Sequence, residues 1–174
     1  MKNNKINVKQ TRVVRPSEIS KLELLENTTS HIEDVQNGMK FIADKIIESS
    51  KLHDYTKMTK FNSFYENFTH NFRHTDWWAY HKNTERHHLS TIDGIPEDVN
   101  LIDVIEYMID GIVSGIARKG KYYKEDVSSE LLKTAFDNTV DLVLDNINVI
   151  ESKSEINKLS IDDLKKLNAN YNKE

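Results

Sequence analysis

Six of the chain's seven histidines fall between positions 53 and 88, and one of them, His53, is followed directly by Asp54. His81 and the pair His87-His88 come from one short stretch, "HKNTERHHLS". His31 stands alone upstream beside Ile32, and Asp110 lies inside a later apolar run. Neutral imidazole and carboxylate together suit divalent iron, manganese, zinc and similar ions. The chain has no cysteine, so disulfides, thiol nucleophiles and thiolate metal sites are excluded. Any metal must be held by His, Asp or Glu. In helical proteins such centres are assembled from several helices, each giving one or two inward ligands.

Spacing sharpens the candidates without deciding among them. On one continuous helix from Asn62 to Leu89, His70, His74, His81 and His88 would share a face, with Glu85 close to it and His87 turned away. A break at Asn83-Thr84 would instead let His87 and His88 both swing inward. His70 and His74 also read as surface residues. Asp103, Glu106 and Asp110 lie at i, i+3 and i+7, opposite the main apolar arc of their segment, a pattern that ordinarily marks a solvated acidic face.

The elements that must position these groups read as helices. Pro16-Ser17 offers a start, with Ser17 as N-cap. Leu25, Ile32, Val35, Met39, Ile42 and Ile46 then recur at three- and four-residue steps, with a break suggested at Asn27-Ser30 and an end at Ser49-Ser50. An aromatic-rich helix is expected from about Asn62 to Tyr80. "STIDGIPED" reads as a loop, with Glu97-Asp98 opening a helix to about Ala117. Ser128 or Ser129 caps a last core helix running to about Ile147. Period-two alternation bounded by turns is not evident, so no strand pair is expected. The expectation is an all-α single bundle of five to seven helices over residues 19–150, a basic flexible arm over 1–18, and a tail over 151–174 with at most one short helix.

Composition fits this reading. Apolar residues make up 37% and charged residues 30%, and the net charge is −4. No global basic field exists to hold duplex DNA, which is disfavoured as a partner. No apolar run is long enough to span a bilayer, and no secretory leader is evident, so a cytoplasmic protein is expected. A homodimer is compatible with all of this.

In order along the chain, "HDYTK", His81, the double histidine, "DGIP" and Asp110 resemble the HD superfamily of metal-dependent phosphohydrolases. His31 fits that family's first histidine, with Val35 four residues on. "HHLSTIDGIP" is similar to the corresponding stretch of the HD-GYP branch, the cyclic-dinucleotide phosphodiesterases. Leu89 replaces its glutamate and Ile95 its aromatic residue. The stretch is also similar to short phage proteins with His-Asp, Ser-Lys and His-His signatures. The resemblance covers about residues 30–119. It implies one or two divalent ions (Fe, Mn, Zn, Ni or Mg) held by His31, His53, Asp54, His81, His87, His88 and Asp110, with Asp54 bridging if there are two.

The implied activity is hydrolysis of a phosphate ester, a nucleotide or cyclic nucleotide, by metal-activated water. Asp54 and Lys57 would be the catalytic residues. Lys57, one helical turn past His53, would bind the phosphate, with Arg86 and Arg118 as further contacts. Trp77, Trp78 and Tyr80 could stack a base, though such aromatics are more often core. A single-strand nuclease, a non-catalytic helical binding protein and a diiron oxygenase are the alternatives.

Overall fold

A computed structural model of the chain describes residues 5–10, 17–72, 75–91, 93–122 and 126–151. The basic residues of the expected arm at 2, 12 and 15, His74, and the tail beyond 151 lie outside the described residues. Within them the protein is predominantly helical. The order is β1 (Ile6–Gln10), α1 (Lys21–Ser50), α2 (Tyr55–Thr59), α3 (Phe61–Thr69), α4 (Thr75–Thr84), a 3-10 turn (Arg86–His88), α5 (Leu101–Lys119), α6 (Ser129–Asn146) and β2 (Ile147–Glu151). No helix among the described residues is long and apolar enough to cross a membrane.

The helix starts follow local chemistry. α1 begins one turn later than Pro16-Ser17 suggests, because Ser20 and Glu23 form a reciprocal capping box. It then runs unbroken for 30 residues through Asn27-Ser30. Thr28 turns its hydroxyl onto the carbonyl of Leu24 inside the helix, so it does not cap a new one. α5 starts at Leu101 rather than at Glu97-Asp98, since Asn100 and Asp103 make a second capping box. α6 starts where expected, on the Ser128 hydroxyl.

Two expectations are corrected. The aromatic helix is interrupted between α3 and α4, where Asn71 and Phe72 take positive φ and the amide of Phe72 bonds back to the carbonyl of Asn67. The arm also holds a strand. β1 pairs in parallel with β2, Ile6 opposite Ile147 and Val8 opposite Val149, and Ile6 is buried. Each strand is only five residues long, and its partner lies more than a hundred positions away, so neither announces itself locally.

The small apolar core lies beneath α5 and α6: Leu89, Val99, Leu131 and Ala135, with Leu101, Val104, Tyr107 and Val127 against them. It anchors α5 next to the 3-10 turn and the C-terminal end of α1. Those three places surround the histidines.

Candidate metal centre

His81 and His87 are among the most deeply buried side chains of the protein, at 0% and 1% exposure. Asp54 stands between them. Its Oδ1 is 3.5 Å from His81 Nε2 and 3.7 Å from His87 Nε2, and its Oδ2 is 3.5 Å from His53 Nε2. His53 Nε2 is in turn 3.7 Å from Asp110 Oδ1. The rings of His87 and His88 lie 4.4 Å apart, and those of His81 and His88 4.8 Å.

The backbone aims these groups by breaking local rules. Asp54 is the N-cap of α2, yet it takes the left-handed conformation (φ 57°) and makes no side-chain cap. Aspartate is one of the best capping residues, but here its carboxylate is turned to the histidines. Glu85 does the capping from afar, accepting from the Thr56 amide at 2.9 Å. Leu89, which ends the 3-10 turn, is also left-handed (φ 52°), and this tight turn brings His87 and His88 round together. Such strain, about 1–3 kcal/mol per residue, persists where surrounding contacts impose it.

Hydrogen bonds fix which nitrogen of His81 and of His53 carries the proton. The Thr56 hydroxyl has one hydrogen, donated to Glu85 Oε1 at 2.5 Å. Its oxygen therefore accepts from His81 Nδ1, 2.6 Å away. That leaves the lone pair of His81 on Nε2, facing Asp54. Glu106 does the same for His53, accepting from its Nδ1 at 2.8 Å. Glu106 Oε1 is also 3.3 Å from His87 Nδ1, a charge contact that falls outside hydrogen-bond geometry. The Ser49 hydroxyl at the end of α1 bonds Glu106 as well. Burial would raise the Glu106 carboxyl, but His87 beside it and hydrogen bonds from Ser49 and His53 prevail and hold it at about 2. As a carboxylate it can only accept, so it orients the imidazoles.

Electrostatics keep two of the rings neutral. Burial, with the nearby Lys57 charge, pushes His81 down to about 4, and burial, with the neighbouring His87 and His81, pushes His88 down to about 3. Burial also opposes charge on His87, but Glu106, Asp54 and Asp110 more than offset it and raise that pKa. For Asp54, burial works upward, while the hydrogen bond and charge of Lys57 work downward and win. Lys57 Nζ donates to Asp54 Oδ2 from the open side.

The result is a set of buried polar atoms with no hydrogen-bond partner: Asp54 Oδ1, both ring nitrogens of His87, and the Nε2 atoms of His81 and His88. Buried polar groups are ordinarily satisfied, and orphans call for a cause. Two triads, His81-His87-His88 and His53-Asp54-His87, each offer ligand atoms within 4.8 Å of one another. Donors at ~2.1 Å from an ion stand up to ~4.2 Å apart. The 3.5 and 3.7 Å separations around Asp54 Oδ1 lie within that limit. The donor set is imidazole and carboxylate, and in His53 and His81 the proton is already held on the outer nitrogen. These residues can hold a divalent metal ion.

Comparison with known proteins finds no matching family model, no similar curated protein and no similar solved structure.

Several sequence candidates sit elsewhere. His31 is exposed on α1, and roughly 27 Å of helix axis separates it from Ser49, the residue of α1 that bonds Glu106. Its place beside Ile32 made it look inward, but Ile32 itself is largely exposed. Arg86 is spent on structure. Its Nε and Nη2 grip the two oxygens of Asp103 at 2.8 and 2.7 Å, and Nη1 reaches Asp98 at 2.9 Å. Those bonds raise its pKa and leave no fork for a phosphate. Arg118 is exposed in the last turn of α5, roughly two turns past Asp110. His70 caps the end of α3, bonding the Glu66 carbonyl through Nδ1 at 2.7 Å. Trp77 is buried and stacked on His81 at 4.8 Å, with Phe64 at 4.9 Å behind it. It is a wall of the centre.

Glu106 is the residue that sequence reasoning missed as an orienting group. Its spacing matched a solvated acidic face, but that face of α5 is turned to the histidines. Asp103, on the same face, is buried at 3% exposure.

Proposed function

We propose that this chain is a metal-dependent phosphohydrolase acting on a small phosphate ester, nucleotides included, in the cytoplasm. The observation that carries the reading is the cluster of unpartnered buried polar atoms around Asp54 with one ammonium, Lys57, beside it. Resemblance to the HD superfamily supports it through His53, Asp54, His81, His87, His88 and Asp110. His31 drops out of the ligand set.

A divalent cation held by these residues would acidify water and draw charge from a phosphoryl oxygen. The protein's own groups divide the remaining work. His81, His87 and His88 are deep, with Trp77 stacked on His81 and burial holding His81 and His88 neutral, so they serve as fixed donors. Asp54 offers one oxygen to the histidine side and the other to Lys57. Lys57 is a point charge on a flexible stem, suited to a phosphate oxygen at the rim. His53 and Asp110 are each about one-third exposed and form the edge open to solvent. Glu106 holds the His53 proton on Nδ1, so the Nε2 lone pair is left facing Asp54 and Asp110 as a donor.

The test is metal analysis of protein purified without chelator, followed by a substrate panel with added Mn²⁺: mononucleotides, cyclic dinucleotides, single-stranded DNA and bis-p-nitrophenyl phosphate. Turnover that disappears in Asp54→Ala supports the reading. Metal-loaded protein inert toward every phosphate ester would overturn it, as would full activity in Asp54→Ala.

A further inference from the structure

The exposed edge of the centre opens into a cavity of about 260 Å³ between the end of α1 and the middle of α5. His53 and Asp110 form one end of it. The rest of its wall is chiefly aliphatic, with Ile46, Ile105, Ile109 and Val113 prominent. No lysine or arginine lines it, and no aromatic side chain other than the His53 ring does. Ile109 and Val113 are each about half exposed or more, although they sit next to a charged cluster. Leaving branched apolar side chains open beside a candidate centre has an unfavourable solvation cost unless something covers them.

We propose that this slot receives an aliphatic group of the substrate, making the preferred substrate an alkyl phosphate monoester with its anionic head at Lys57 and Asp54 and its chain between α1 and α5. The proposal rests on the phosphohydrolase reading for the head group only. Three features favour a chain over a nucleoside. The wall has no ring to stack a base. Beyond the centre its polar side chains are few, since Glu106 and Ser49 are bonded to each other and the Ser50 hydroxyl donates to the Ile47 carbonyl. And neither tryptophan beside the histidines lines the slot: Trp77 is enclosed against His81, and the partly exposed Trp78 lies on His81 and His88. The volume lies just under the usual ~300–1,000 Å³ of small-molecule pockets, which fits a short chain.

The experiment uses the full chain supplied with Mn²⁺. Binding of methyl-, butyl-, hexyl- and octylphosphonate is measured by calorimetry, and hydrolysis of the matching alkyl phosphates by phosphate release. Full burial of a methylene is worth about fourfold in affinity, and in an open slot about two- to threefold per carbon is expected over the first few carbons. Ile109→Asp and Val113→Asp, both at the solvent rim, should each flatten that slope, with Mn²⁺ content measured alongside to confirm an intact centre. Chain-length-dependent phosphonate binding without hydrolysis would support the slot and overturn the phosphohydrolase reading. Phosphate release that does not vary with chain length would overturn the slot and support the hydrolase. A slope unchanged in both rim variants would also overturn the slot.

Discussion

Arg86 and His87 are neighbours in one 3-10 turn, and Asp103 and Glu106 are neighbours on one face of α5, yet the two pairs end in opposite states. In the first, Arg86 satisfies both oxygens of Asp103 and one of Asp98, while Asp103 also closes the cap of α5. In the second, Glu106 bonds the outer nitrogen of His53 and Thr56 that of His81, while the Nε2 atoms of His81, His87 and His88 have nothing to bond. A buried polar network that is complete holds the fold. One that is complete except at its centre is arranged for something that enters. Burial and charge do not separate the two regions; satisfaction does.

Removing one member from each region should therefore have different consequences. The largest expected effect is on stability in the complete network. Arg86→Ala strands a buried carboxylate and should cost about 3 kcal/mol or more, seen as a lower denaturant midpoint with metal stoichiometry retained. Glu106→Gln should leave the fold nearly intact and lower metal affinity by about 10- to 100-fold, because the amide no longer enforces the Nδ1–H tautomer of His53. If Glu106→Gln lowered stability as much as Arg86→Ala and left the metal affinity of the folded protein untouched, the distinction between the regions would be lost. Thr56→Val acts on one imidazole only and should weaken metal binding at the lower end of that range, by titration calorimetry.

The remaining prediction is a pH dependence of the metal-free protein. His81 and His88 have folded pKa values near 4 and 3, below the unfolded value of about 6.5. The unfolded chain then binds the extra protons first, so stability falls as pH drops from 6.5 toward 4. His87 has the opposite shift, so its contribution is fully present below 6.5 and is lost only at higher pH. Glu106 adds to the acid loss only below about 4.5. Denaturant midpoints between pH 7 and 4 should decline, and His88→Gln should make the decline shallower.

Much of the centre was legible in the sequence because it lies in residue types that are uncommon and clustered: His53-Asp54, His81 and His87-His88. What was hidden followed from geometry. His31 shares a helix with the site, but a long helix carries residues far from one another. Glu106 has an ordinary surface pattern, and only the docking of α5 against the 3-10 turn reverses which face is inside. Arg86 reads as a free cation until Asp103, seventeen residues on, is seen beneath it. The helical class followed from apolar periodicity. The interruption before α4 depends on left-handed Asn71 and Phe72, and the β1–β2 pair on a meeting of chain ends; neither has a local pattern.

The central claim is that Asp54 and three buried imidazoles are complete only with a cation among them. Titration of Mn²⁺ or Zn²⁺ into chelator-stripped protein, followed by calorimetry, tests it directly. The account predicts at least one saturable site in the wild-type chain, lost in His87→Ala, the residue common to both triads, while circular dichroism shows the helices retained. Absence of binding in the wild type, or equal binding in His87→Ala, would contradict it.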